Sequence, residues 1–220
     1  MADKSLNTGF EEELKRLKRE CEQAEEWLDF AIFAPVELEN QQVGYRVDPA
    51  GRSLISNEEG AWREEWIVIG HTLLTGDPII VDLGEAGHPV SYLMHGMGEW
   101  GAGSYIAGSM QHLREIAKKV NQWMTGQSRP QTNRNLPVTC AELDALVAEI
   151  AEMDYADAET WKMLLEPAYE SAKAYEEEMI RQIRAMNEQG TQLKEMADRL
   201  GIPMKQVYGF LKMIKASSNE

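Results

Sequence analysis

The sequence is poor in cysteine, with two in 220 residues, and it contains no long apolar run. Cys21 and Cys140 lie far apart without metal-ligand spacing, and each belongs to an apolar stripe. This pattern predicts buried, reduced thiols in a cytoplasmic protein rather than a disulfide framework. No segment approaches the roughly 20 apolar residues that cross a bilayer, and the polar N-terminus lacks an apolar stretch of signal-peptide length. We therefore expect a cytoplasmic chain without membrane contact.

Basic residues are also scarce, since 22 Lys and Arg stand against 37 Asp and Glu and the net charge is −15. A chain with this charge is not expected to coat nucleic acid non-specifically. The acid is concentrated in residues 1–60 and 138–189, whereas residues 190–220 carry a small excess of bases. Two interpretations stay open: the acid serves solubility alone, or it attracts a basic partner such as the substrate cleft of a nuclease.

The first half of the chain has the pattern of an α+β fold. Apolar residues at helical spacing predict an amphipathic helix over about residues 10–30, and alternation around a turn predicts a hairpin at 44–56. Short apolar runs closed by turn residues predict strands at 66–69, 78–83, 90–94 and 104–107. Their short connections indicate an antiparallel meander, which a helix over 110–123 follows with Ser109 as its N-cap.

The second half of the chain predicts helices only. Residues 124–137 lack apolar periodicity and are rich in Gly, Pro, Asn and Gln. They indicate a linker between a domain at 1–123 and an all-α domain at 138–220. Thr139 and Glu142 have the spacing of a capping box, which predicts where the first helix of the second domain begins.

Residues 191–215 are similar to a helix-turn-helix. Gly201 can adopt the left-handed turn between two short helices, and Ile202 follows it as an apolar plug. The second helix offers four side chains to a DNA groove: Lys205, Gln206, Tyr208 and Lys212. Two interpretations stay open, a DNA-binding unit or a structural helix pair that contacts protein. Nucleic acid contact is expected nowhere else in the chain.

An ordered set of short motifs in the centre of the chain resembles the SUKH superfamily. The motifs are Trp66-Ile-Val-Ile-Gly70, Gly76-Asp-Pro-Ile-Ile-Val-Asp82, His88-Pro-Val-Ser-Tyr-Leu-Met-His95-Gly96, Trp100 and Ile106-Ala-Gly-Ser109. That superfamily includes yeast cell-wall-assembly regulators and many bacterial immunity proteins. The resemblance covers about residues 62–123. The Leu-Pro and Asn-Gly signature of the family has only a weak echo at 33–40, and the family does not account for 138–220.

The resemblance implies a twisted antiparallel sheet with flanking helices and a non-enzymatic function. It implies that the chain binds a protein partner, typically a toxin that is neutralised when its active site is covered. We expect four residues of the sheet's loops to bind this partner: Asp82, Glu85, Glu99 and Trp100. An acidic rim around an exposed tryptophan suits a basic toxin or nuclease.

Motifs for catalysis and for metal binding are lacking. The sequence has no nucleophile elbow, Walker loop or HExxH motif, and no two histidines have an acid beside them at ligand spacing. We therefore expect no cofactor and no metal. The less favoured alternative is an enzyme that uses His95, which lies near Trp100 in a glycine-rich segment.

Overall fold

The structure is a computed structural model that describes residues 4–94, 100, 103–128 and 136–217. In chain order its helices and strands are α1 (Lys4–Gln23), β1 (Phe30–Ile32), β2 (Trp66–Thr72), β3 (Pro78–Asp82), β4 (Val90–Leu93), β5 (Gly103–Ala107), α2 (Met110–Met124), α3 (Cys140–Ala151), α4 (Ala158–Leu164), α5 (Glu166–Glu188), α6 (Leu193–Leu200) and α7 (Met204–Ser217). Short 3-10 helices at Pro35–Glu37 and Asn40–Gln42 lie between β1 and β2.

The five strands form one sheet in the order β1-β2-β3-β4-β5, and all neighbouring strands are antiparallel. This architecture confirms the predicted α+β class with its antiparallel meander. Ser109 caps α2 as predicted, because its hydroxyl accepts the backbone N–H of His112 at 3.1 Å. Thr139 and Glu142 form the predicted capping box at the start of α3.

The predicted helix over residues 10–30 is wrong in its last part. α1 ends at Gln23, and Phe30–Ile32 is instead the edge strand β1, whose partner is the end of β2. Ala24 and Leu28 continue the helical spacing and are fully buried, although they lie in the turns that follow the helix. Their spacing therefore indicates that they are buried, and it does not indicate that they belong to the helix.

The predicted hairpin at 44–56 is present only as a tight turn. Val47 and Ser53 form a single antiparallel bridge, and no extended strand flanks it within the described residues. The Asp48 carboxylate holds the turn, since it accepts the backbone N–H of Arg52 at 2.9 Å. The hydrogen bonds from the backbone and side chain of Arg52 lower the pKa of Asp48.

Both faces of the central strands β2, β3 and β4 are largely buried, so these strands are rich in apolar residues. Ile79 and Val81 contribute to the large core that also contains α1 and α2. Ile80, between them, points to the opposite face, where Trp62 and Trp66 cover the strands. The segment between β1 and β2 therefore acts as the second layer over the sheet.

The large core continues past the predicted linker. α3, α4 and the first half of α5 pack into the same cluster as α1, α2 and the sheet. Trp161 of α4 is fully buried, donates its Nε1–H to the Ile106 carbonyl at 2.9 Å and meets the Phe30 ring edge-on at 6.3 Å. The boundary at 124–137 stays a prediction about domains, while the described residues on its two sides share one core.

A second, smaller core joins the end of α5 to α6 and α7. Gly201 ends α6 with φ +66°, the left-handed conformation that glycine adopts without strain. Met196, Ile202 and Phe210 are buried between the helices. These side chains hold α6 and α7 together, and the helix-turn-helix character of residues 191–215 stays a prediction.

Candidate protein-binding site

Asp82 ends β3 and is committed to the structure around it. Its Oδ2 accepts the indole N–H of Trp66 at 2.9 Å, and its Oδ1 accepts the backbone N–H of Gly84 at 2.8 Å. The side chain is half-buried. Asp82 therefore fixes the turn between β3 and β4 and orients Trp66. Only the exposed part of its side chain is accessible to a partner.

Glu85 lies in the next turn and accepts a hydrogen bond from one tyrosine hydroxyl group. Tyr105 of β5 donates to its Oε2 at 2.7 Å, and this hydrogen bond raises the pKa of Tyr105 to about 12. The Glu85 carboxylate also interacts with the Tyr155 hydroxyl and raises the pKa of Tyr155. The two tyrosine rings meet edge-to-face with centroids 4.8 Å apart, and each residue is more than two-fifths exposed. One carboxylate thus holds Tyr105, and the Tyr155 ring packs on it.

Tyr155 comes from the loop between α3 and α4 and adopts an uncommon backbone conformation. Its φ is +61°, a left-handed value that costs a non-glycine residue about 1–2 kcal/mol. The ring contact with Tyr105 stabilises this conformation. The loop is therefore held in place by side chains of the sheet.

An open groove of about 640 Å³ lies between this loop and the start of β5. Residues 103–105 form one side and residues 151–157 form the other. Three carboxylates line the groove, those of Glu152, Asp154 and Asp157, and none of the described lining residues is a base. Hydrogen bonds from Thr160 lower the pKa of Asp157, so this cap of α4 is firmly charged. We call the groove with the Glu85–Tyr105–Tyr155 cluster the acidic tyrosine groove.

Trp100 belongs to the aromatic cluster on the sheet's second face. Its ring lies 5.2 Å from that of Trp62 and 5.6 Å from that of Tyr45, and its backbone N–H donates to the Gly60 carbonyl at 2.8 Å. The residue is half-buried, so it does not stand free in its loop. Trp62 also packs on Trp66, which bonds Asp82, so the aromatic cluster reaches one of the predicted acids.

Two of the residues weighed in the sequence, Glu99 and His95, lie outside the described residues. The partner role of Glu99 and the alternative of an enzyme that uses His95 both stay predictions. Within the described ranges, no group of three His, Cys, Asp or Glu side chains could hold a metal ion.

The four residues suggested for nucleic acid binding do not share one face of α7. Lys205, Tyr208 and Lys212 are exposed, and the Lys212 ammonium lies 4.8 Å from the centre of the Tyr208 ring. Gln206 is half-buried and turns toward α5, where its amide reaches the Tyr175 hydroxyl at 3.5 Å. The outer face of α7 also exposes Met204 and Met213, and apolar side chains of this size are typical of protein contacts.

The sequence did not single out the tyrosines as site residues. Tyr105 lies in the strand predicted at 104–107, and Tyr155 lies in the half of the chain that predicts helices only. The one sequence signal for this site is the acid-rich stretch at 152–157, which lies within the acidic region 138–189. The contact between residues 50 positions apart appears only in the folded chain.

No helix among the described residues is both long enough and apolar enough to cross a membrane. Comparisons with protein-family models, with curated proteins and with solved structures found no match. The structure therefore defines the class, an α+β protein with an antiparallel meander and added C-terminal helices. The resemblance to the SUKH superfamily stays a prediction.

Proposed function

We propose that this chain is a non-enzymatic protein-binding module of the immunity type, which binds a toxin enzyme and neutralises it. The observation that carries the proposal is the acidic tyrosine groove. Exposed tyrosines held rigidly by a carboxylate lose little conformational entropy on binding, and tyrosine is enriched among the residues that dominate binding energy. Acids without neighbouring bases match the basic cleft of an enzyme that acts on nucleic acid.

The proposal also explains the distribution of charge. The excess of acid lies on the helices that flank the sheet, and the exposed acids of 152–157 extend it to the groove. A negative field of this kind speeds the encounter with a basic partner, and the effect falls as salt rises. Specificity then rests with Tyr105, Tyr155 and Glu85.

Calorimetry and an activity assay with the catalytic domains of toxins encoded beside this chain's own gene test the proposal. We expect at least one toxin to bind and to lose activity. Tyr105→Ala and Tyr155→Ala should each weaken that binding by about 2 kcal/mol, roughly 30-fold in Kd. Tyr208→Ala is the matched control, because Tyr208 is equally exposed but lies on α7.

Two outcomes contradict the proposal in different ways. If no such toxin binds, the immunity function is wrong. If one binds with full affinity to both groove variants and loses affinity with Tyr208→Ala, the function stands and the surface is α7 instead.

DNA regulation through α6 and α7 is the second candidate. In its support, α6 and α7 share a small apolar core across the turn at Gly201, and Lys205 and Lys212 are exposed on α7. Gel shifts at several salt concentrations test it: Lys205→Ala with Lys212→Ala should weaken binding and lower the salt dependence. Binding that does not respond to the two substitutions rejects this candidate.

A further inference from the structure

β5 is the last strand of the sheet, and only one half of its outer edge is covered. Ile106 and Ala107 are buried beneath α4, where Trp161 donates its indole N–H to the Ile106 carbonyl. Gly103 and Tyr105 are exposed and line the acidic tyrosine groove. Among the described residues, no strand pairs with this part of β5 on its outer side.

An uncovered strand edge offers backbone N–H and C=O groups in the pattern that another strand recognises. At about 3.3 Å per residue, residues 103–105 match three or four residues of an added strand. The groove opens along this edge, with residues 151–157 as its far wall. Gly103 lets β5 approach β4 closely, since a Cβ at this position would come within 2.3 Å of the Tyr92 carbonyl oxygen.

The walls of the groove determine the charge of the segment that fits it. Glu152 and Asp154 are exposed, and neither forms an ion pair with a Lys or Arg that the structure describes. Tyr105 and Tyr155 add exposed ring faces, which attract ammonium and guanidinium groups. A segment with Lys or Arg on one side meets carboxylates and rings together, whereas an acidic segment meets only like charge.

We propose that the acidic tyrosine groove binds an extended basic segment of a partner protein, which adds to the free edge of β5 as a further strand. The inference rests on the proposed protein-binding function and names its mode. Backbone hydrogen bonds to residues 103–105 supply the alignment, and alternate Lys or Arg side chains meet the acids and the tyrosines.

The test uses an acetylated and amidated Lys-Val-Lys-Val-Lys-Val-Lys peptide as the probe, with the full chain. Fluorescence anisotropy should show binding that weakens as salt rises, and the matching Glu-Val peptide should not bind. Hydrogen exchange followed by NMR should slow at least one amide among residues 103–105 by tenfold or more. Two further Lys-Val peptides carry N-methyl groups on alternate backbone amides, one on the odd and one on the even positions. One of the two should bind at least tenfold more weakly than the unmethylated peptide.

The double variant Glu152→Gln with Asp154→Asn should weaken peptide binding about tenfold. Its matched control is Glu177→Gln with Glu188→Gln, which removes the same charge from exposed positions on α5 and should leave binding unchanged. Equal losses in the two double variants would show a general charge effect and overturn the assignment of the groove.

The outcomes separate this inference from the proposed function. A toxin that binds while the Lys-Val peptide does not, or a peptide that binds without slowing exchange at 103–105, overturns strand addition and leaves the protein-binding function in place. Peptide binding with slowed exchange, when no toxin binds, supports strand addition and removes the immunity function.

Discussion

Trp161 should be among the most sensitive positions in the chain, because its indole joins the C-terminal helices to the sheet. The perturbation is Trp161→Phe, which keeps an aromatic ring in the site and removes the N–H that donates to the Ile106 carbonyl at 2.9 Å. Both residues are fully buried, so the carbonyl is left without that donor inside the core. An unsatisfied buried group costs about 1–3 kcal/mol.

The smaller ring adds a second cost, about 1–2 kcal/mol for lost burial and imperfect repacking. Trp62→Phe is the matched control for this part. Trp62 is equally buried, but its indole N–H has no hydrogen-bond partner among the described residues. The control therefore removes the same ring area without breaking a hydrogen bond. Trp161→Phe should be the less stable variant by about 1–3 kcal/mol.

Urea unfolding measures the difference in the free energy of unfolding between the two variants. Tryptophan fluorescence follows it, because the six tryptophans lie between residues 27 and 161 and each variant keeps five of them. Each kcal/mol lowers Tm by about 2–4 °C in a chain of this size, so the two variants should differ by about 2–12 °C. If they lose stability equally, within about 0.5 kcal/mol, the hydrogen bond from α4 contributes nothing and the reasoning is refuted.

Four further substitutions test other parts of the structure. Gly201→Ala should destabilise the α6–α7 unit by about 1–2 kcal/mol, because Gly201 has φ +66°. Gly209→Ala in the interior of α7 should instead stabilise the unit by about 0.5–1 kcal/mol. Circular dichroism during thermal unfolding compares the two variants, and stability changes of the same sign would contradict the assigned turn. Thr139→Ala should cost about 1 kcal/mol in urea unfolding, since it removes the cap of α3; an unchanged midpoint would show that the capping box is dispensable. The pKa of Tyr105, about 12 in the folded chain, should fall toward 10 in Glu85→Gln, as NMR titration of labelled tyrosine can show. Because the folded pKa of Tyr105 lies above the unfolded value, the stability that its hydrogen bond to Glu85 contributes is complete below pH 10 and is lost as the pH rises through about 12. An unchanged pKa of Tyr105 in Glu85→Gln would contradict the hydrogen bond.

The central strands could be predicted from the sequence because their signals are local. β2, β3 and β4 are largely buried on both faces and carry apolar runs closed by glycine or turn residues, so their signal needs no information from elsewhere in the chain. β1 could not be predicted in the same way. It has three residues, and what makes it a strand is its pairing with residues 70–72.

The candidate site was predictable only in its acids. Glu85 stands in a loop after a buried strand, where a charged side chain is visible in the sequence. Its role depends on Tyr105 and Tyr155, which come from segments far apart in the chain. A tryptophan among glycines suggests exposure, but Trp100 is half-buried and packs on Trp62, and its partner role stays a prediction. Side-chain partners of this kind follow from tertiary packing, which periodicity does not report.

The contact between Tyr105 and Tyr155 makes the proposed binding surface composite, with one half on the sheet and one half on the loop before α4. In that loop Glu152, Asp154 and Tyr155 are exposed at the groove, whereas Met153 and Ala156 pack against the large core. Substitutions at the three exposed positions could therefore change the proposed partner while the sheet and its helices keep their packing. Exchange of this loop is the step by which a family of related chains could diverge in specificity and still fold alike.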